Sequence, residues 1–177
     1  TVLFISLHQE DLYPVGWGAV DHVGEGPGQG FTVNVPLPAG TGNAGYAIAY
    51  DRIVVPIVRQ FEPDLIIVSA GQDASIMDPL ARMSLTLNGY RQMTRTMMAL
   101  ADELCGGRLV VTQEGGYAAQ YAPYCSAAIG ETLVGAEPIN DPYGPRSDTL
   151  PASRIAGLDC RAAIDQAVEI QARYWRV

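Results

Sequence analysis

The sequence predicts an α/β fold, a mostly parallel central sheet covered by helices, and three observations carry the prediction. Strand-like apolar runs alternate with helical patterns over the first three quarters of the chain. Within the helical stretches apolar residues recur at three and four residues, so each helix has one stripe to bury. With 48% hydrophobic and 17% charged residues in 177, the chain can bury a single-domain core, which excludes disorder of the whole.

Residues 2–8, 31–38, 64–70 and 109–112 read as the strands. Between the second and third, Tyr46, Tyr50, Ile53, Ile57 and Phe61 make one helical stripe, interrupted by Pro56. An interior proline removes a hydrogen bond, so a bend is expected there. Tyr90, Met93, Met97, Ala101 and Leu104 make a second stripe, ended by Gly106 and Gly107 in the manner of a left-handed stop. A third helix is expected between Tyr117 and about Gly135. Residues 1–135 thus form the main unit, 136–158 a loop or linker rich in Pro, Asp, Gly and Ser, and 159–177 a terminal helix. Tyr174 and Trp175 on that helix pack on the domain or on a partner, which makes it a candidate contact in a homo-oligomer. The glycines of 24–30 invite comparison with a phosphate loop, but no lysine follows and no helix opens, so a close-approach turn is the preferred reading.

A net charge of −8 and a pI near 4.6, with no basic stretch, argue against nucleic acid as a partner and for a cationic or neutral substrate. Cys105, Cys125 and Cys160 are odd in number and widely spaced, which suggests neither a disulfide framework nor a zinc finger; a reducing cytoplasm is the expected location. No apolar run reaches membrane-spanning length, and the start lacks the order of a signal peptide. The chain opens at Thr1 directly into a strand-like run, as a chain beginning in mid-fold would.

Two loops carry the chemistry. At carboxyl ends of parallel strands, loops converge on a crevice. Asp73, after the third strand, is either a turn cap, the commoner role for such an aspartate, or a metal ligand. Asp78, before Pro79, can cap a turn or the following helix. After the fourth strand, Gln113-Glu114-Gly115-Gly116-Tyr117 places a phenol behind two glycines. It reads as a turn with a packed aromatic or as a hydroxyl that steadies an oxyanion.

The ordered series Ile5-Ser6-Leu7-His8, Tyr13-Pro14, the glycines 24, 26 and 28, Val33-Asn34-Val35-Pro36-Leu37, Phe61-x-Pro63-Asp64, Ser69-Ala70-Gly71-x-Asp73-Ala74, Asp78-Pro79-Leu80 and Glu114-Gly115-Gly116-Tyr117 resembles the histone deacetylases and acetylpolyamine amidohydrolases, most of all the bacterial class II-like amidohydrolases. The resemblance runs from Thr1 to about Gly135. It implies the second half of a three-layer arginase-deacetylase fold and zinc-dependent hydrolysis of an N-acetyl amide on lysine or a polyamine. It further implies Asp73 as a zinc ligand, Tyr117 as the catalytic tyrosine, and Ser6 and Leu7 as ligands of a structural potassium ion. Val2 and Phe31 would hold a second monovalent ion through backbone carbonyls. Tyr13 and Leu80 would line the acyl tunnel, with Gly115 and Gly116 as its wall near the acetyl group. The family's tandem histidines and Asp-x-His zinc pair have no counterpart here, so activity is expected to require an upstream segment of the same domain. His8 reads as structural and His22 as solvated, while Gln72 departs from the aromatic or small residue frequent in the family. Two other readings stand beside this one: a metal ureohydrolase of the arginase type, for which the Asp73 loop lacks the Asp-x-Asp clusters, and a binding or scaffold protein without catalysis.

Overall fold

The computed structural model describes residues 1–143 and 160–177. Strand β1 (Phe4–Gln9) pairs in parallel with β2 (Thr32–Leu37), and β3 (Ile66–Ala70) in parallel with β4 (Leu109–Gln113). Among the described residues these are two separate two-stranded sheets, so the parallel pairing is as expected while the sheet is divided. Phe4 and Ile67 are 55% and 62% exposed, although they are large apolar residues in strands.

The first predicted helix is broken into α1 (Asn43–Ala49), a π-helical turn Tyr50–Val54, and α2 (Val55–Phe61). Pro56 explains the break: it sits at the start of α2, where a missing N–H costs nothing, and the wider turn before it takes up the ring. The stripe survives, with Tyr46, Ile53 and Ile57 buried. Helix α3 (Leu87–Cys105) buries Tyr90, Met97 and Ala101 and stops at Gly106, whose φ of 62° is left-handed. Helix α4 (Ala122–Val134) starts later than expected, with Pro123 in its first turn, and ends at Gly135. The turn of 24–30 is a close approach: a Cβ on Gly24 would lie 2.3 Å from the Gly28 carbonyl oxygen.

Most of the expected linker, residues 144–158, lies outside the described residues, as does Asp159 at the expected start of the terminal helix. That helix, α5 (Cys160–Gln171), is shorter than predicted. Its Ile164 and Ala167 are fully buried in the core that also holds Val33, Val35 and Leu37 of β2. Beyond it the chain leaves the helix, and Trp175 donates its indole N–H to the Gly30 carbonyl at 2.8 Å while packing edge-on against Phe31. Tyr174 Oη accepts from Gln29 Nε2 at 3.3 Å, so both aromatics of the tail seat on this chain.

Helix α3 also packs on α4, and a buried ion pair joins them. Arg91 Nε donates to Glu131 Oε1 at 2.6 Å, Arg91 Nη2 to the Ile139 carbonyl at 2.6 Å, and the Ile139 amide to Glu131 Oε2 at 2.7 Å. Each buried charge is thus paired and hydrogen-bonded. Burial opposes ionisation of Glu131, but the Ile139 amide and the Arg91 and Arg95 charges outweigh it and hold its pKa below the ordinary 4.5.

Arg91→Met, which strands the glutamate, should lower unfolding free energy by about 3–5 kcal/mol in a denaturant titration. A depressed carboxyl pKa gives stability that is present above the unfolded-state value and lost as pH falls through the folded one. The stability difference between wild type and Glu131→Gln should therefore shrink as pH is lowered below 4.5.

Candidate active site

Parallel strands deliver their following loops to the same end, and the β3–β4 pair does so here with Ala70 opposite Gln113. Two backbone hydrogen bonds then stitch the loops together, Glu114 N to the Ala70 carbonyl at 3.1 Å and Gln72 N to the Gly115 carbonyl at 2.6 Å. From α3, the buried Tyr90 donates its hydroxyl to the Gly71 carbonyl at 3.2 Å and fixes the loop from below. A further tie reaches the other sheet, where Gln9 Oε1 at the end of β1 accepts from the Arg82 amide at 2.7 Å.

Asp73 sits at this junction, half-buried. A Cβ on Gly115 would lie 2.3 Å from Asp73 Oδ2, and one on Gly71 2.7 Å from Asp73 Oδ1, so the carboxylate is wrapped by two glycines. The same Gly115 position is 3.4 Å from the Tyr117 ring, which brings the carboxylate and the phenol ring to one glycine. Gly116 has φ of 153° and stands over the buried Gln72 side chain; that backbone and that closeness both require glycine. Burial first, and then the Asp78 charge, raise the Asp73 pKa above its ordinary 3.8, against the pull of the Asp73 and Ala74 amides. Asp73 enters none of the ion pairs among the described residues. An acidic group placed this way, beside a second acid and without a basic partner, suits a bound cation. Among the described residues no group of three His, Cys, Asp or Glu side chains could hold a metal ion, so this segment offers one ligand of a site and not a whole site.

Asp78 caps a turn rather than a helix, its Oδ1 accepting from Leu80 N at 2.8 Å and Ala81 N at 3.1 Å. Its Oδ2 accepts from the Tyr117 backbone amide at 2.8 Å. The sequence showed the turn chemistry of Asp-Pro-Leu; nothing in it could show a bond to a residue 39 positions on. Asp73, Leu80, Gly115, Gly116 and Tyr117 are thereby gathered in two joined loops. Leu80 is 60% and Tyr117 57% exposed, so neither side chain is buried at the junction.

The remaining candidates lie elsewhere. Tyr13, 90% exposed, stands on the loop after β1. Ser6 and Leu7 are inside β1, where Ser6 Oγ lies 2.9 Å from His8 Nδ1 and His8 Nε2 lies 3.0 Å from the Gly18 carbonyl. That carbonyl can only accept, so Nε2 carries the proton and Nδ1 accepts from the serine, leaving the Ser6 oxygen lone pairs for a cation. Burial lowers the His8 pKa. His8 is thus structural, as expected, and His22 is exposed. Val2 and Phe31 lie at the opposite, amino ends of β1 and β2, where the Phe31 carbonyl accepts from Phe4 N at 2.9 Å.

The histone deacetylase domain profile matches residues 1–133. A probable deacetylase of Archaeoglobus fulgidus is 40% identical over 179 residues, covering 99% of this chain and 50% of that protein. A histone deacetylase-like amidohydrolase of Pseudomonas aeruginosa is 46% identical over 134 residues, covering 76% of this chain and 35% of that one. Among solved structures, the HDA15 HD domain superposes with a TM-score of 0.79 at 33% identity, covering 98% of this chain and 44% of that one. The histone deacetylase Clr3 does so with 0.81 at 35%, covering 99% and 28%. The chain spans half or less of the length of these proteins. The architecture is the arginase-deacetylase fold, as expected.

Gly115→Ala should lower stability by about 1–3 kcal/mol, because its methyl group has no room beside Asp73. Gly130→Ala, in α4 with open space around it, should instead be neutral or raise stability by about 0.5–1 kcal/mol. Denaturant midpoints of the two variants check the pair; equal effects would show that the glycine wrap around Asp73 is not tight.

Proposed function

The chain belongs to the histone deacetylase family, and on that premise we propose that it is the part of a zinc-dependent deacetylase that supplies one metal ligand and the oxyanion-stabilising tyrosine. The reaction is hydrolysis of an N-acetyl amide on lysine or a polyamine, giving acetate and a free amine. The observation that carries this reading is that Asp73 and Tyr117 both come up against Gly115 at the joined ends of β3 and β4.

A zinc ion bound there supplies Lewis acidity to the amide carbonyl and lowers the pKa of the attacking water. Asp73 contributes its carboxylate to the ion. The Tyr117 hydroxyl donates a hydrogen bond to the carbonyl oxygen as that oxygen gains negative charge, which favours the tetrahedral state over the flat amide. Gly115 and Gly116, lacking side chains, form a wall against which a small acyl group fits. Tyr13 and Leu80 line the apolar stem that carries the amide. Neither His8, committed to Ser6 and Gly18, nor the exposed His22 takes the proton from water; the base and the other ligands come from outside this segment, in an upstream part of the domain. Exposed Phe4 and Ile67 on the two strand pairs support such a covering segment, since sheets bury apolar side chains against another layer. The Ser6 hydroxyl and the Leu7 carbonyl would hold a structural potassium ion, and the carbonyls of Val2 and Phe31 a second monovalent ion.

In the complete protein, Asp73→Asn should abolish stoichiometric zinc in native mass spectrometry. Tyr117→Phe should keep the zinc and lower kcat by about 10²–10³-fold with KM little changed. Turnover of an acetyl-lysine reporter, removed by a chelator, is the expected wild-type result; no turnover with zinc bound would mean a binding protein instead.

A further inference from the structure

Leu80 and Tyr117 are both more than half exposed, so packing of their side chains does not fix where they stand. Backbone freedom works against them too, since Tyr117 follows Gly115 and Gly116, and glycine adds conformations that other residues lack. Yet a hydroxyl that stabilises an oxyanion must be placed within a few tenths of an ångström to act. Something has to hold the backbone of residue 117.

Asp78 is in the place to do it. Its Oδ1 closes the turn that presents Leu80, through the Leu80 and Ala81 amides at 2.8 and 3.1 Å. Its Oδ2 accepts from the Tyr117 amide at 2.8 Å, and among the described residues no other acceptor for that amide is seen. Bonds from N–H groups to a carboxylate are charge-assisted and stronger than neutral ones. We propose that Asp78 is a positioning residue for Tyr117, a single carboxylate that sets the phenol and the tunnel-lining Leu80 at a fixed spacing. This rests on the deacetylase reading of Tyr117. Asp78 itself touches no reacting atom; it acts through the backbone of the tyrosine.

The substitution Asp78→Asn separates the two oxygens. The amide keeps the size and one acceptor, which can still close the Leu80 turn, but sets an NH2 group against the Tyr117 N–H. In the complete zinc-loaded protein it should leave zinc content and KM nearly unchanged and lower kcat by about 10- to 100-fold, the scale of a displaced catalytic group. A merely structural role would not reproduce the second readout: in a Tyr117→Phe background, Asp78→Asn should add little further loss, because both changes remove the same contribution. Wild-type kcat in Asp78→Asn, or an equal loss in both backgrounds, overturns the proposal. If instead Tyr117→Phe alone keeps full kcat, the deacetylase role of the tyrosine has failed. The tie itself is then read from hydrogen exchange of the Tyr117 amide, as it is if Asp78→Asn does not fold. Slow exchange in the wild type, despite the exposed side chain, supports the tie, and fast exchange overturns it.

Discussion

The parallel pairing of β3 with β4 is the constraint on which the site depends. Parallel strands send their chains out of the sheet at the same edge, so residues 40 or so positions apart arrive side by side without any direct signal between them. With Ala70 opposite Gln113, the first loop residues of each strand meet and bond, Gln72 to Gly115 and Glu114 to Ala70. An antiparallel pairing of the same strands would place Asp73 and Tyr117 at opposite ends. The meeting of Asp73 with Gly115 and Tyr117 follows from this register.

Once the loops meet, the arrangement is set by missing side chains as much as by those present. Gly71 and Gly115 let backbone close on the Asp73 carboxylate, and Gly116 lets the chain pass over Gln72. Asp78 then bonds both loops, and Tyr90 supports the first from the core. The result is an acidic group with raised pKa and no basic partner among the described residues, held beside an exposed phenol whose backbone is tethered. Burying an acid without its counter-charge costs free energy that a bound cation recovers, and that is the physical link between this geometry and metal chemistry.

Much of this was legible in the sequence, for identifiable reasons. Strand and helix periodicity places each strand among the described residues to within two residues, because half-buried elements impose their period on the apolar pattern. Pro56 announced a break, though only the structure shows it as a π-helical turn. The places of Asp73 and Tyr117 after strands, together with the joint motif, single them out as candidates. The local pattern marks Asp78 as a cap, which is half of what it does; its bond to Tyr117 depends on strand register, which local pattern does not contain. Likewise the seating of Trp175 on Gly30 and Phe31 joins chain segments 145 residues apart, and a terminal helix with two aromatics reads equally as a domain contact or a partner contact until that pairing is seen.

The central claim is that the junction after β3 and β4 forms one side of a metal site, with Asp73 as a ligand. The most direct measurement is a crystal structure of the complete protein with diffraction data collected on both sides of the zinc absorption edge. The account predicts one strong anomalous peak about 2.0–2.2 Å from an Asp73 carboxylate oxygen. A fully occupied zinc peak away from Asp73, or no zinc in a protein that deacetylates, would contradict it.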